Sequence, residues 1–179
     1  LNPDSLEPMN LTIANKPAIG ICGSGLLVII ATLLENRIID PSGKFRHDLN
    51  SPRIREGRSG YEYVLAWENE NGTDHDISIN EVDIDNFIRA KAAIYAGVKT
   101  LVEEGGLQIG DLEQIILAGA FGSFIDLDAA MTVGLLPEIE PSKVRDVGNG
   151  SLMGGRMSEL SARLRRPPRR WMPFSASMV

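Results

Sequence analysis

The chain is 179 residues long, 43% hydrophobic and 23% charged, the profile of an ordinary globular protein of one domain or two small lobes, long enough to bury a core. Its net charge of −6 is unevenly spread: the last nineteen residues carry five arginines and no acid, so residues 1–160 hold thirteen bases against twenty-four acids, a balance of −11 that argues against a nucleic-acid surface. A lone cysteine, Cys22, excludes an internal disulfide and fits a reducing, cytoplasmic setting.

Residues 1–16 read as an extended lead-in, with Pro3 and Pro8, several Asn and no period. The apolar run Ala18 to Leu34 falls short of the roughly 20 residues a membrane span needs, and Gly20, Gly23, Ser24 and Gly25 interrupt it. It predicts instead a helix over about Leu26–Glu35, apolar on nearly every side and therefore buried, with Asn36 as its C-cap. Asp40-Pro41-Ser42-Gly43 is a turn, and the polar, arginine-bearing residues 44–60 read as a loop. Tyr61, Tyr63, Leu65 and Trp67 alternate with Glu62, Val64, Ala66 and Glu68, a half-buried strand that turns at Asn71-Gly72 and returns over Asp76–Ile79.

A long helix is predicted over about Val82–Glu104, with Ile84, Phe87, Ile88, Ile94, Tyr95, Val98, Leu101 and Val102 on one stripe and Gly105-Gly106 at its end. The strand Gln114–Ala118 follows, then a helix near Asp126–Val133, a short strand over Val144–Val147 and a last helix from Ser151 to about Leu164. Residues 161–179 form an Arg/Pro-rich tail expected to be disordered.

Glycine clusters lie between these elements at Gly23-Ser24-Gly25, Gly119-Ala120-Phe121-Gly122 and Gly148-Asn149-Gly150. Strand, glycine loop, helix is how α/β proteins bring bare backbone to a nucleotide, because a residue without Cβ admits a ring or phosphate and a helix N-terminus offers free N–H groups. Close packing of turns explains any one cluster equally well; three in one chain point to a shared cleft. Lys91 falls on the apolar stripe of its helix, where its ammonium either snorkels at the edge or reaches a ligand. Cys22 precedes a helix start, where a thiol pKa falls, although a small buried apolar side chain is the commoner role. His47 and His75 stand alone in polar loops without ligand spacing, so no metal site is expected. One cysteine supplies no four-ligand iron–sulfur set.

Pro17-Ala18-Ile19-Gly20-Ile21-Cys22-Gly23-Ser24-Gly25-Leu26, Ala90-Lys91-Ala92-Ala93-Ile94, Leu117-Ala118-Gly119-Ala120-Phe121-Gly122, Gly134-Leu135-Leu136-Pro137 and Gly148-Asn149-Gly150-Ser151-Leu152 occur in this order in one family. Over residues 17–160 the chain resembles the later half of the actin-like ATPase domain of reductive activators of corrinoid proteins, also described as methyltransferase corrinoid activation proteins. The resemblance implies an α/β fold with a mixed sheet and packed helices, similar to acetate and sugar kinases, chaperone ATPases and actin.

It further implies an adenine nucleotide, ATP or ADP with Mg²⁺, and a parent protein whose [2Fe–2S] ferredoxin domain, absent from this chain, delivers the electron that returns a Co(II) corrinoid to Co(I). A corrinoid protein and its methyltransferase system would be the partners, and a homodimer stays open. By the same resemblance Gly119, Ala120, Phe121 and Gly122 form the adenosine-side loop, and Gly23, Ser24 and Gly25 lie near the ribose and phosphates. Lys91 flanks the adenine, and Gly148 and Asn149 belong to a second connecting element. The Asp-x-Gly hairpin loops that hold phosphate and Mg²⁺ in this superfamily are not in the sequence, so the site is expected to be half of one, inactive alone as an ATPase. Two other readings remain: an activator of the 2-hydroxyacyl-CoA dehydratase type, which is similar in placing a Cys before a Gly-x-Gly helix start, and a non-catalytic interaction or dimerisation module.

Overall fold

The computed structural model describes residues 1–2, 6–9 and 12–160. The expected disordered tail, and any continuation of the last helix beyond Leu160, lie outside the described residues.

The first helix, α1 (Gly23–Glu35), starts three residues earlier than its apolar run because Cys22 caps it, and it ends at Asn36 as expected. Leu27, Ile30, Ala31 and Leu33 are buried, whereas Val28 stays exposed. The helix is therefore covered on one face rather than all round. Thr132 Oγ1 donates to Glu35 Oε1 at 3.0 Å, tying the end of α1 to the third helix. After α1 the turn Asp40–Gly43 closes by Gly43 N–H to Asp40 C=O at 2.9 Å, and Asp40 Oδ1 accepts from the backbone N–H of Ser42 and Lys44.

Three antiparallel strands follow, β1 (Ile54–Gly57), β2 (Gly60–Ala66) and β3 (Ile77–Asn80), in the order β1-β2-β3. The β2–β3 hairpin is the expected one. β1 replaces part of the expected loop over residues 44–60: its sequence Ile-Arg-Glu-Gly has no alternation to read, since an edge strand leaves charged side chains in water. Across the sheet the Arg55 guanidinium bridges Glu62 at 2.7 Å and Asp76 at 2.8 Å.

β2 also departs from alternation, because Tyr63, Val64, Leu65 and Ala66 are all buried. It is the central strand, its register with β3 shifts between Val64 and Ala66, and Arg53 covers it. That guanidinium is only 5% exposed, donates to Val64 C=O at 3.1 Å and pairs with Glu7 at 2.7 Å. The Tyr63 hydroxyl donates to Leu6 C=O at 2.7 Å, so residues 6 and 7 are pinned to the sheet.

α2 (Glu81–Glu104) begins in a reciprocal cap: Asn80 Oδ1 accepts from the N–H of Val82 and Asp83, and Asp83 Oδ2 accepts from Asn80 N–H. Gly105 and Gly106 end it, Gly106 at φ +71. Only the first third of its apolar stripe is covered. Ile84 is buried in the core with Leu27, Leu33, Ile38, Phe45, Tyr63 and Ile79, but Ile94 and Leu101 are 54% and 62% exposed.

β4 (Ile115–Leu117) and β5 (Val144–Asp146) pair in parallel as a separate two-stranded sheet, joined through α3 (Leu127–Thr132), and α4 (Gly150–Leu160) follows β5. Both ladder types of the expected α/β fold are thus present, in different sheets.

Candidate functional site

At the start of α1 the Cys22 Sγ accepts the Gly25 N–H at 3.3 Å and lies 3.5 Å from Ser24 Oγ. The Ser24 hydroxyl first, and the Gly25 N–H second, hold this thiol below its ordinary pKa by stabilising the thiolate. Cys22 is exposed rather than buried, which corrects the commoner expectation for a lone cysteine. The cause is its N-cap position: its backbone is extended and its side chain turns back over the first turn instead of into the core. Gly25 is a close-packing glycine, since a Cβ there would stand 3.2 Å from the Cys22 sulfur.

The second cluster leaves β4 at Leu117. Gly119 has φ +111, a conformation open to residues without Cβ, and the space above it is empty to at least 4 Å. Its N–H donates to Gly148 C=O at 2.6 Å, and Val147 N–H donates to Leu117 C=O at 2.9 Å, so the loops after the two parallel strands are laced together. Gly148, at φ +59, also has open space above its Cα, and its N–H is fixed by Asp146 Oδ1 at 2.9 Å. Asn149 caps α4, its Oδ1 accepting from Leu152 N–H at 2.9 Å. Gly122 takes the packing role, because a Cβ there would come within 3.1 Å of Leu117 Cβ. Ala120 is exposed on the loop.

Phe121 connects this pair of loops to α1. Its ring edge lies 3.3 Å from where a Gly23 Cβ would sit, so the Gly119–Gly122 loop rests on the first turn of α1. The three clusters, at residues 23–25, 119–122 and 148–150, meet in one place. Beside the first cluster, at Cys22 and Gly23, runs a cleft of about 510 Å³ walled by Ile21, Leu26, Phe87 and Ala90, with Asp83 and Asn86 at its polar edge.

Lys91 is not brought to that meeting point by any described contact. A rotation of about 100° per helical residue turns it away from Ala90. Its Nζ stands 3.3 Å from the Cβ position of Gly134, in a neighbouring cleft of about 510 Å³ shared with Tyr95, Lys99, Met131 and Pro137.

Sequence reading missed two contributors. Asp146 organises the Gly148 turn, and its signal is an acid two residues before a turn glycine. Asp83, Asn86, Phe87 and Ala90 form one face of α2 at helical spacing, but nothing in the sequence says which face meets α1.

Chemically, the empty space above Gly119 and Gly148 leaves bare backbone open to the approach of a ligand. Among the described residues no three His, Cys, Asp or Glu side chains come together as a metal-holding group, and no helix is long and apolar enough to cross a membrane.

Comparison with known proteins bears on the same stretch. A family profile described as the C-terminal domain of RACo, the ASKHA domain, matches residues 1–170. The corrinoid activation enzyme RamQ of Eubacterium limosum is 39% identical over 151 residues, covering 79% of this chain and 25% of that protein. The [Co(II) methylated amine-specific corrinoid protein] reductase of Methanosarcina barkeri is 30% identical over 135 residues, covering 75% of this chain and 21% of that protein. A solved structure of a reductive activator for corrinoid, iron–sulfur protein superposes with a TM-score of 0.79 at 47% identity, over 86% of this chain and 24% of its own. The chain thus spans about a quarter of the length of the relatives it matches.

Proposed function

This chain belongs to the family of the RACo C-terminal ASKHA domain, and from that premise we propose that it is the adenosine-side wall of the nucleotide cleft in an ATP-dependent reductive activator of corrinoid proteins. Its matched relatives are corrinoid activation enzymes and reductive activators.

In the proposed reaction a [2Fe–2S] centre held elsewhere in the parent protein would supply one electron. A Co(II) corrinoid in a partner protein takes it and becomes Co(I), with ATP binding and hydrolysis driving the transfer. This chain's part is to bind and orient. Gly119 and Gly148 present bare backbone to the adenosine, with Ala120 exposed beside them, Phe121 rests the loop on α1, and Gly122 keeps it tight against β4. Gly23, Ser24 and Gly25 stand toward the ribose and phosphates, and Asn149 sets the helix behind Gly148. Lys91, expected to flank the base, instead faces the neighbouring cleft beside Gly134 and is left out of this surface. Mg²⁺ and the phosphate grip come from the parent outside this chain. The setting is cytoplasmic.

The observation that carries the reading is the meeting of the three glycine clusters through Phe121 on Gly23 and Gly119 on Gly148. Isothermal titration tests it. This chain is co-expressed with the part of the 47%-identical activator that it does not match, then titrated with ATP and ADP. Nucleotide binding by the pair, lowered at least tenfold by Gly119→Val, is the expected result. A pair that assembles without binding either nucleotide overturns the assignment.

A further inference from the structure

Asn71-Gly72 is the tip of the β2–β3 hairpin, and Pro17 to Cys22 is the segment that leads into α1; the fold brings the two together. The Asn71 side chain builds the tip. Its Nδ2 donates to Trp67 C=O at 2.8 Å and to His75 C=O at 2.9 Å, and its Oδ1 accepts from Thr73 N–H at 2.7 Å. Across the neck, Glu68 N–H donates to Asp76 Oδ1 at 2.8 Å. On this fixed tip Gly72 N–H donates to Ala18 C=O at 2.8 Å. A Cβ on Gly72 would stand 3.1 Å from Ile19 Cγ2 and 3.3 Å from Pro17 Cβ. Gly72 is not among the glycines with positive φ, so its backbone does not call for glycine; the close approach of residues 17–19 does.

Residues 17–22 belong to no helix or strand, and among the described residues the Gly72 bond is the one hydrogen bond that reaches residues 17–21 from another part of the chain. Just beyond, Cys22 caps α1: its C=O accepts from Leu26 N–H at 2.8 Å and its Sγ from Gly25 N–H at 3.3 Å. Gly23 supports the Phe121 ring edge, and the Phe121 loop is the one bonded from Gly119 to Gly148. Contacts thus run without a break from the hairpin tip to the three glycine clusters. Ala18 and Ile21 are partly buried against the core, whereas Ile19 is 80% exposed and Gly72 lies at the surface, so the join itself buries little. Its effect is on direction. Apolar packing is non-directional, and the backbone bond at Ala18 fixes the register of an irregular segment shortly before it enters α1.

We infer that Gly72 is a positioning residue for the start of α1: its N–H and its lack of a side chain hold residues 17–19 on the hairpin tip, and through them set the first turn, Cys22 to Gly25, on which Phe121 rests. The inference rests on the proposed function only in its consequence, that the glycine surface is kept in shape for a nucleotide.

Cys22 is the single thiol of the chain and stands at the end of this path, so its reactivity reports the geometry there. Alkylation rate against pH is measured on the full chain, and ATP titration on the co-expressed pair. Gly72→Val fills the gap to Pro17 and Ile19. The thiol midpoint should then rise toward that of a free cysteine as the Ser24 and Gly25 contacts loosen, with circular dichroism unchanged and the nucleotide affinity of the pair at least fivefold lower. Gly72→Ala keeps the N–H and asks only the exposed Ile19 side chain to yield, so it should restore the original midpoint and affinity. Tyr63→Phe removes a hydrogen bond to the same segment further upstream, at Leu6, and should move neither. If Gly72→Val fails to fold, Asn71→Ala, which dismantles the tip and leaves the Gly72 N–H in place, is read in the same way. An unmoved midpoint overturns the inference. So does an equal rise in Tyr63→Phe, because any lost contact with the sheet would then suffice. A raised midpoint in a pair that binds ATP as tightly as before upholds the inference and removes Gly23–Gly25 from the nucleotide surface. An unaltered pair that binds no nucleotide overturns the functional reading, and the thiol midpoint still decides the inference.

Discussion

At the scale of single residues, three positions carry measurable consequences. The Ser24 hydroxyl is the main cause of the lowered Cys22 pKa. Alkylation rate against pH should therefore have a midpoint below that of a free thiol, and Ser24→Ala should move it upward; identical midpoints would show that the hydroxyl is not the cause. Burial pushes the Tyr63 hydroxyl up to about 12, against an unfolded value of about 10. The folded chain holds that proton more tightly. The resulting stability is complete below about pH 10 and is lost as pH rises toward about 12, by about 2–3 kcal/mol in total. Urea unfolding at pH 9 and pH 11.5 should show this loss in the parent chain and not in Tyr63→Phe, which instead gives up the Leu6 hydrogen bond, about 1 kcal/mol, at both values. At Gly43 a Cβ would lie 2.6 Å from Ile84 Cγ2 and 2.8 Å from Ile88 Cδ1, at φ +83. Gly43→Ala should destabilise by about 2–3 kcal/mol in the same assay.

At the scale of elements, periodicity and caps were legible and burial was not. The run from Asn80 to Gly106 contains its own start and stop, and α2 spans Glu81–Glu104 accordingly. Asn80→Ala removes both accepted N–H bonds of that cap and should cost about 1 kcal/mol of unfolding free energy, read from the urea midpoint. Which part of the stripe is covered depended on where the sheet and α1 end, so Ile84 is in the core and Leu101 is in water. β1 was illegible because an edge strand's side chains look like those of a loop; only its pairing with β2 defines it. β2 looked half-buried from its alternation, yet Val64 and Ala66 are buried as well, because strands lie on both sides and Arg53 crosses over it.

At the scale of the whole molecule, the proposed functional surface is assembled from three stretches that share no local signal beyond glycine. Gly119→Val in the co-expressed pair should lower nucleotide affinity at least tenfold, because the residue's φ of +111 suits no branched side chain and its open face would be filled. Lys91→Ala should leave affinity unchanged by titration, because Lys91 lies beside Gly134 in a different cleft; a tenfold loss would return it to the nucleotide site. The sequence by itself determined the order of the elements apart from β1, the ends of α1 and α2, the lone thiol and the presence of three glycine clusters, since each depends on residues within a few positions of one another. It also carried enough ordered motifs to place the chain in its family. Tertiary structure alone decided that Phe121 rests on Gly23, that Gly119 is bonded to Gly148 and that Lys91 turns to a different cleft. Those are distances between residues far apart in the chain, set by how α1, α2 and two sheets pack, and no local pattern encodes them.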